Sequence, residues 1–219
     1  MDSGPVNPQL DPTIFRGILV AMNRFLLFLL LLALPFSAFS AVEPGETAPD
    51  FSLADSKGQS HKLSYFRGKF VVLEWLNHDC PFVKKHYGSG NMQKLQKEYT
   101  AKGVVWLSII SSAPGKQGHR TGPQADADTK DKHANPTAVL LDPAGEVGQK
   151  YEAKTTPHMF VIDKEGKVLY AGAIDSINST NPADVTKAEN HVRQALDAAL
   201  AGQPVPTPST KPYGCSVKY

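Results

Sequence analysis

The chain holds two cysteines, and the first lies in a segment whose residue types suit redox chemistry: Trp75-Leu76-Asn77-His78-Asp79-Cys80-Pro81-Phe82-Val83. A strand is expected before Cys80 and a helix after it. Pro81 suits the first helical turn, where its missing N–H is no loss. A cysteine at that junction meets free backbone N–H groups and the positive end of the helix, which favour the thiolate and bring its pKa below about 8.5. Lys84 and Lys85 push the same way and Asp79 opposes them. The bland alternative, a buried cysteine used as a small hydrophobe, fits poorly with the neighbours Asn77, His78, Asp79 and Pro81, which are not core residues. A second informative segment is Thr155-Thr156-Pro157-His158, where a proline at the mouth of a strand can take the cis or the trans bond. The other cysteine, Cys215, follows a run containing Pro204, Pro206, Pro208 and Pro212. Cys80 with His78 and His158 is a soft donor set of the kind copper or zinc takes. No C-x-x-C or H-x-x-H spacing supports it, so no metal is assigned.

The elements that must position these residues are legible as an alternation. Lys69–Leu76, Val104–Ile110 and Thr137–Leu141 read as strands, the first two buried, rich in β-formers. From Pro81 a helix is expected, interrupted at Gly88-Ser89-Gly90 before Met92, Leu95 and Tyr99 resume its apolar face. Residues 113–123 read as a loop, and 124–134 as polar and helix-capable. Asp142-Pro143-Ala144-Gly145 marks a turn. His158–Asp163 and Lys167–Ala173 flank Lys164-Glu165-Gly166 as a hairpin. Residues 183–201 carry the clearest amphipathic stripe, through Val185, Ala188, Val192, Ala195, Leu196 and Ala199 or Leu200, and Gly202 stops it. This order predicts an α/β fold, a mixed sheet with helices on its faces. After Gly202 the prolines predict an extended, semi-rigid arm over 203–219 with no core of its own. Trp75 is expected in the core beneath the turn. His86 is expected to face elsewhere, and His119 and His133 to lie on the surface; Arg120 is expected there too, with a charge supplied to the site as its alternative. Gly115–Gly122 lacks the strand-to-helix context of a phosphate loop.

Composition sets the remaining bounds. With 23 Lys and Arg against 21 Asp and Glu in 219 residues, there is no electrostatic case for nucleic acid. Two cysteines cannot form a disulfide framework, so each is a candidate for one specific job. Residues 25–36 are a short apolar run, FLLFLLLLALPF, roughly 18 Å as helix and too short for a bilayer core of about 30 Å. Arg24 precedes it, and Ala38 and Ser40 supply small residues for a cut after Ser40. That pattern is a secretory signal peptide, with an uncleaved anchor as its alternative. No cysteine stands directly after the run, so a lipoprotein is not expected. Met22 opens the pattern, which makes residues 1–21 an upstream extension. The expectation is an exported, periplasmic or secreted protein without a stable membrane span once the signal is removed, where disulfides persist.

Taken together, these segments resemble the thioredoxin-fold redoxin family, which holds peroxiredoxins and thiol–disulfide oxidoreductases. Gly45-Glu46-Thr47-Ala48-Pro49-Asp50-Phe51-Ser52-Leu53 is similar to the family's opening G-x-x-A-P-D-F-x-L, and Leu63–Lys69 to its lead into the central strand. Asn77–Phe82 stands at the active-site turn, and Thr156-Pro157 with Phe160-Val161-Ile162-Asp163 at the cis-proline loop and its strand. The resemblance covers about residues 42–201 and implies a thioredoxin-like domain over 42–202. There are departures. The local pair C-x-x-C is absent, since Asn77 and Val83 stand three residues either side of Cys80. The peroxiredoxin P-x-x-x-T-x-x-C is not met, because Leu73 and Asn77 replace its Pro and Thr, and its later active-site Arg is missing.

The resemblance implies a peroxiredoxin-like thiol oxidoreductase. Cys80 attacks a peroxide oxygen, and Cys215, on an arm with reach and local freedom, resolves the sulfenic acid to a disulfide that an external dithiol reduces. Pro157 shapes the thiol groove, and Asn77 or Thr156 orients the substrate oxygen, with His78 and Pro81 supporting the turn. No organic cofactor is implied. The bond is within one chain or across a homodimer. A static bridge and an unpaired tail thiol are the alternatives for Cys215. Two other functions stay open: disulfide exchange with protein thiols through Cys80 and Cys215, and a non-enzymatic metal-binding redoxin.

Overall fold

The computed structural model describes residues 42–219, together with Met1 and Gly4. The expected upstream extension, signal peptide and cut after Ser40 lie outside the described residues. Among the described residues, no helix is long and apolar enough to cross a membrane.

The strands are β1 (Ser52–Asp55), β2 (Ser60–Lys62), β3 (Val71–Trp75), β4 (Val105–Ile110), β5 (Ala138–Leu141), β6 (Thr155–Thr156), β7 (His158–Ile162), β8 (Val168–Gly172) and β9 (Cys215–Ser216). The helices are α1 (Pro81–Gly88), α2 (Asn91–Ala101), α3 (Gly122–Asp131), α4 (Glu146–Lys150) and α5 (His191–Leu200). Seven strands form one mixed sheet in the order β2-β1-β5-β4-β3-β7-β8. Its centre is parallel, β5-β4-β3, and β7 joins β3 antiparallel with Trp75 opposite His158. Strands β6 and β9 make a separate two-stranded ladder.

The central strands carry apolar residues almost continuously because both faces are covered. In β3, Val71, Leu73 and Trp75 point into one core with Leu107, Ile109, Tyr151 and Phe160. Val72 points into the other, with Val83, Met92, Leu95, Val192 and Leu196 from α1, α2 and α5. This is the two-residue period of a pleated strand. Glu74 shares the second face and is fully buried. Tyr87 Oη (2.9 Å), Trp106 Nε1 (2.8 Å), Ser108 Oγ (2.8 Å) and Gln96 Nε2 (3.2 Å) all donate to its carboxyl. Burial outweighs these donors and raises its pKa.

The alternation, the break between α1 and α2 and the 158–173 hairpin stand as expected. Three readings need correction. The amphipathic stripe of 183–201 is not one helix: α5 starts at His191, because Asn190 Oδ1 accepts the Arg193 N–H at 2.9 Å and caps it there. A 3-10 turn, Pro182–Asp184, precedes it, and Val185 and Ala188 lie between the two, half-buried. The short helix α4 was not expected; Asp142 Oδ2 anchors it by accepting the Gly148 N–H at 2.9 Å.

The third correction concerns the arm, which is docked along its length. Ala171 N–H donates to Pro208 O (3.0 Å), Thr210 N–H to Ala171 O (3.1 Å) and Val217 N–H to Lys154 O (3.2 Å). Ala113 N–H donates to Lys218 O (2.8 Å) and Tyr219 Oη to Ala153 O (2.8 Å). The edge strand β8 and loops elsewhere supply the partners that its own sequence lacks.

Candidate active site

Cys80 is the residue capping the N-terminus of α1, in extended conformation, with Pro81 in the first turn. The turn before it is built by Asn77, whose Oδ1 accepts the Asp79 N–H at 2.9 Å, while its Nδ2 donates to Gln117 O at 3.4 Å. Asn77 is 1% exposed. Gly118 (φ +86°) lets it approach this closely, since a Cβ there would overlap the Asn77 amide. On the other side stands the loop around Thr156 and Pro157, joined by a cis peptide bond. Cys80 Sγ lies 3.1 Å from Thr156 O.

The arm brings Cys215 to this point. Thr156 pairs with Cys215 in the β6–β9 ladder, and the two sulfurs lie 2.8 Å apart. Both cysteines are free thiols. Gly214 makes the approach possible: its φ is +146°, and a Cβ would collide with the Thr156 carbonyl. Cys80 is 0% exposed and Cys215 half-buried.

The two thiols are driven apart electrostatically. Burial works against the Cys80 thiolate, but the Cys215 thiol and the backbone N–H groups of Val83 and Cys215 outweigh it and hold its pKa below the ordinary thiol value. Cys215 is pushed up to about 11, by burial first and then by Cys80 beside it. One sulfur is therefore disposed to carry the charge and the other the proton.

The expected electrostatic helpers are partly redistributed. Lys85 does not serve Cys80: it is 1% exposed, with Nζ 3.1 Å from Asp175 Oδ2 and donating to Ile177 O at 2.7 Å. Asp79 is neutralised by Arg120, which was expected on the surface; Nη2 lies 3.0 Å from Asp79 Oδ1, and Nε reaches Asp128 at 2.7 Å. The Arg120 guanidinium holds the Asp79 carboxyl below its ordinary range. His78 is buried against the Tyr87 ring, centroids 4.9 Å apart, and burial lowers its pKa to about 4. His158 is buried against Phe160 and lowered to about 3 by burial and then by Lys154. Among the described residues, no group of three or more His, Cys, Asp or Glu side chains is placed to hold a metal ion.

Sequence reasoning missed the anchor of the arm. The Tyr213 hydroxyl donates to Asp175 Oδ1, with Lys85 Nζ and His86 Nε2 each 3.4 Å away. Its ring meets Phe82 edge-on at 5.8 Å. His86, fully buried, belongs to this cluster. The only signal in the sequence was Gly214 between an aromatic residue and Cys215.

The chain is 28% identical over 156 residues to thiol-disulfide oxidoreductase ResA of Geobacillus thermodenitrificans, covering 68% of this chain and 84% of the relative. It is 30% identical over 128 residues to the thioredoxin-like protein YneN of Bacillus subtilis, covering 58% and 69%. Among solved structures, an uncharacterised conserved protein of Geobacillus kaustophilus superposes with a TM-score of 0.71 at 28% identity, covering 82% of this chain and 94% of that one. A Chlorobium tepidum protein assigned as thiol:disulfide interchange protein DsbE gives 0.55 at 28% identity, covering 73% and 99%. The fold is thioredoxin-like and the protein is an oxidoreductase. The model of the AhpC/TSA family matches residues 44–171, more than half of the chain, and the chain belongs to that family.

Proposed function

We propose that the protein is a thiol–disulfide oxidoreductase that stores two electrons in the Cys80–Cys215 pair and exchanges them with protein thiols and an external dithiol. The observation that carries this reading is the 2.8 Å approach of two sulfurs 135 positions apart in sequence. It stands in for the missing C-x-x-C, with the second thiol supplied by the arm. The relatives named for thiol–disulfide exchange support it. In this reading Asn77 and Pro81 shape the turn, Thr156 and Pro157 form the wall facing Cys80, and His78 packs beneath. No organic cofactor is needed. The redoxin domain over 42–202 works with its arm, 203–219, as one unit, in an exported protein where an oxidised pair persists.

The test is equilibration with reduced and oxidised glutathione, followed by a non-reducing peptide map. A Cys80–Cys215 disulfide that forms and reverses with the glutathione ratio, and passes its oxidising equivalents to a reduced protein substrate, is the expected result. Two thiols that stay reduced across the whole range would sink the proposal.

Membership in the AhpC/TSA family and the lowered Cys80 pKa favour peroxide reduction as a second reading. There Cys80 sulfur takes an oxygen from the peroxide and Cys215 condenses with the sulfenic acid, releasing water. Hydrogen peroxide consumption dependent on a dithiol, with Cys215→Ser arrested at sulfenic acid, distinguishes it from exchange alone.

A further inference from the structure

The two cysteines of the pair are not equivalent to a visitor. Cys80 has no exposed surface, and all the solvent contact of the pair belongs to Cys215. A thiolate attacks a disulfide sulfur along the line of the S–S bond, from the side opposite the leaving sulfur, so access and leaving group together decide which sulfur is hit. Cys80 lies at the first turn of α1, 3.1 Å from Thr156 O, and belongs to the same buried core as Leu76 and Val83. Cys215 sits on a two-residue strand at the margin of the fold, with Ser216 after it exposed.

We infer that external thiols enter the oxidised pair at Cys215, not at Cys80. The inference rests on the exchange reading and reverses the order expected from the sequence, in which Cys80 meets the substrate. The incoming thiolate bonds to Cys215 Sγ, the Cys80–Cys215 bond breaks, and its electron pair stays on Cys80 as thiolate. A second thiolate then attacks the substrate sulfur of the mixed disulfide and releases a substrate disulfide. Cys215 departs with the electron pair and takes up a proton. Two thiols are oxidised, and the pair is reduced to one thiolate and one thiol.

The leaving-group side agrees. Cys80 departs into a site where the Val83 and Cys215 N–H groups stabilise its charge, so it is the better leaving group. Cys215 as thiolate has far less support, with its pKa pushed up to about 11 by burial and by Cys80.

The experiment uses the full chain, oxidised to the Cys80–Cys215 disulfide and mixed rapidly with glutathione. Acid quenching across the first turnover, blocking of free thiols with a maleimide and peptide mapping locate the glutathione. The expected result is glutathione on Cys215 and maleimide on Cys80, at least about ten to one when extrapolated to zero time. Glutathione arriving first on Cys80, or equally on both, overturns the entry order and leaves the exchange reading standing. A disulfide that never forms, or never reacts with glutathione, overturns the exchange reading and the entry order with it.

Discussion

Removing one oxygen atom from Tyr213 tests whether the arm is held as described. In Tyr213→Phe the ring keeps its edge-on packing against Phe82, and only the hydroxyl that donates to the Asp175 carboxylate is lost. A hydrogen bond to a charged group contributes about 1.5–3 kcal/mol. Asp175 Oδ1 keeps the Ile177 N–H at 3.1 Å and Lys85 Nζ at 3.4 Å, so the buried carboxylate is not stranded and the middle of that range applies. About 2 kcal/mol raises the population of the undocked arm about 30-fold, at tenfold per 1.4 kcal/mol. The assay is amide hydrogen exchange of the reduced protein. The Val217 N–H, bonded to Lys154 O, and the Thr210 N–H, bonded to Ala171 O, report arm opening. Both should exchange about 30-fold faster, while amides of β3 and β4 keep their protection because their opening is a separate, more global event. Unchanged exchange at Val217 would refute the assignment of Tyr213 as the anchor. Equal acceleration in β3 would refute the local character of the opening.

Other outcomes follow from the same geometry. Gly214→Ala places a Cβ against the Thr156 carbonyl at a φ of +146°; it should separate the sulfurs and weaken formation of the Cys80–Cys215 disulfide at a fixed glutathione ratio by about 5-fold to 140-fold, a strain of about 1–3 kcal/mol. Arg120→Ala leaves the Asp79 carboxylate unpaired beside Cys80; thiolate absorbance of the reduced protein should then appear at higher pH than in the parent. The same variant should lose less stability on acidification. The lowered Asp79 pKa contributes stability that is present above the ordinary carboxylate pKa and lost as pH falls through the folded value. Burial holds His78 and His86 at about 4 and His158 at about 3, against an ordinary 6.5. These three groups should therefore lend stability that is complete above pH 6.5 and drains as pH falls toward 4, on the order of 1 kcal/mol per group per unit. Denaturant titrations at pH 7, 6 and 5 measure that slope, and His158→Phe should flatten it.

Much of the scaffold was legible because local signals agree with the tertiary outcome. The apolar runs of β3 and β4 can only be strands covered on both faces, and Pro81 after Cys80 marks a helix start by the geometry of its ring. Thr156-Pro157 ahead of a strand located the wall opposite Cys80. Legibility ended where long-range partners override local pattern. The stripe through Val185 and Ala188 looks helical, yet Asn190 caps α5 later and moves those residues into a loop. The arm looks unstructured because its hydrogen-bond partners, Ala171, Lys154, Ala113 and Ala153, come from distant parts of the chain. Lys85 looked like a helper of the Cys80 thiolate and Arg120 like a surface cation, since nothing near them in sequence names Asp175 or Asp79 as partner. Cys80 was found from its neighbours and its pairing with Cys215 was expected from the resemblance; the Tyr213 anchor that holds the arm there was not.

The span of the cysteine pair has a topological consequence. A covalent link between positions 80 and 215 would turn most of the domain into a ring of 135 residue steps. Restricting the unfolded chain to such a ring stabilises the native state by about 5 kcal/mol in the chain-entropy picture. A local C-x-x-C closes only a few residues and has no comparable hold on the unfolded ensemble. Each oxidation would tie the molecule into a loop and each reduction cut it open again. Its resistance to unfolding, and to proteolysis that depends on unfolding, would then rise and fall with its redox state.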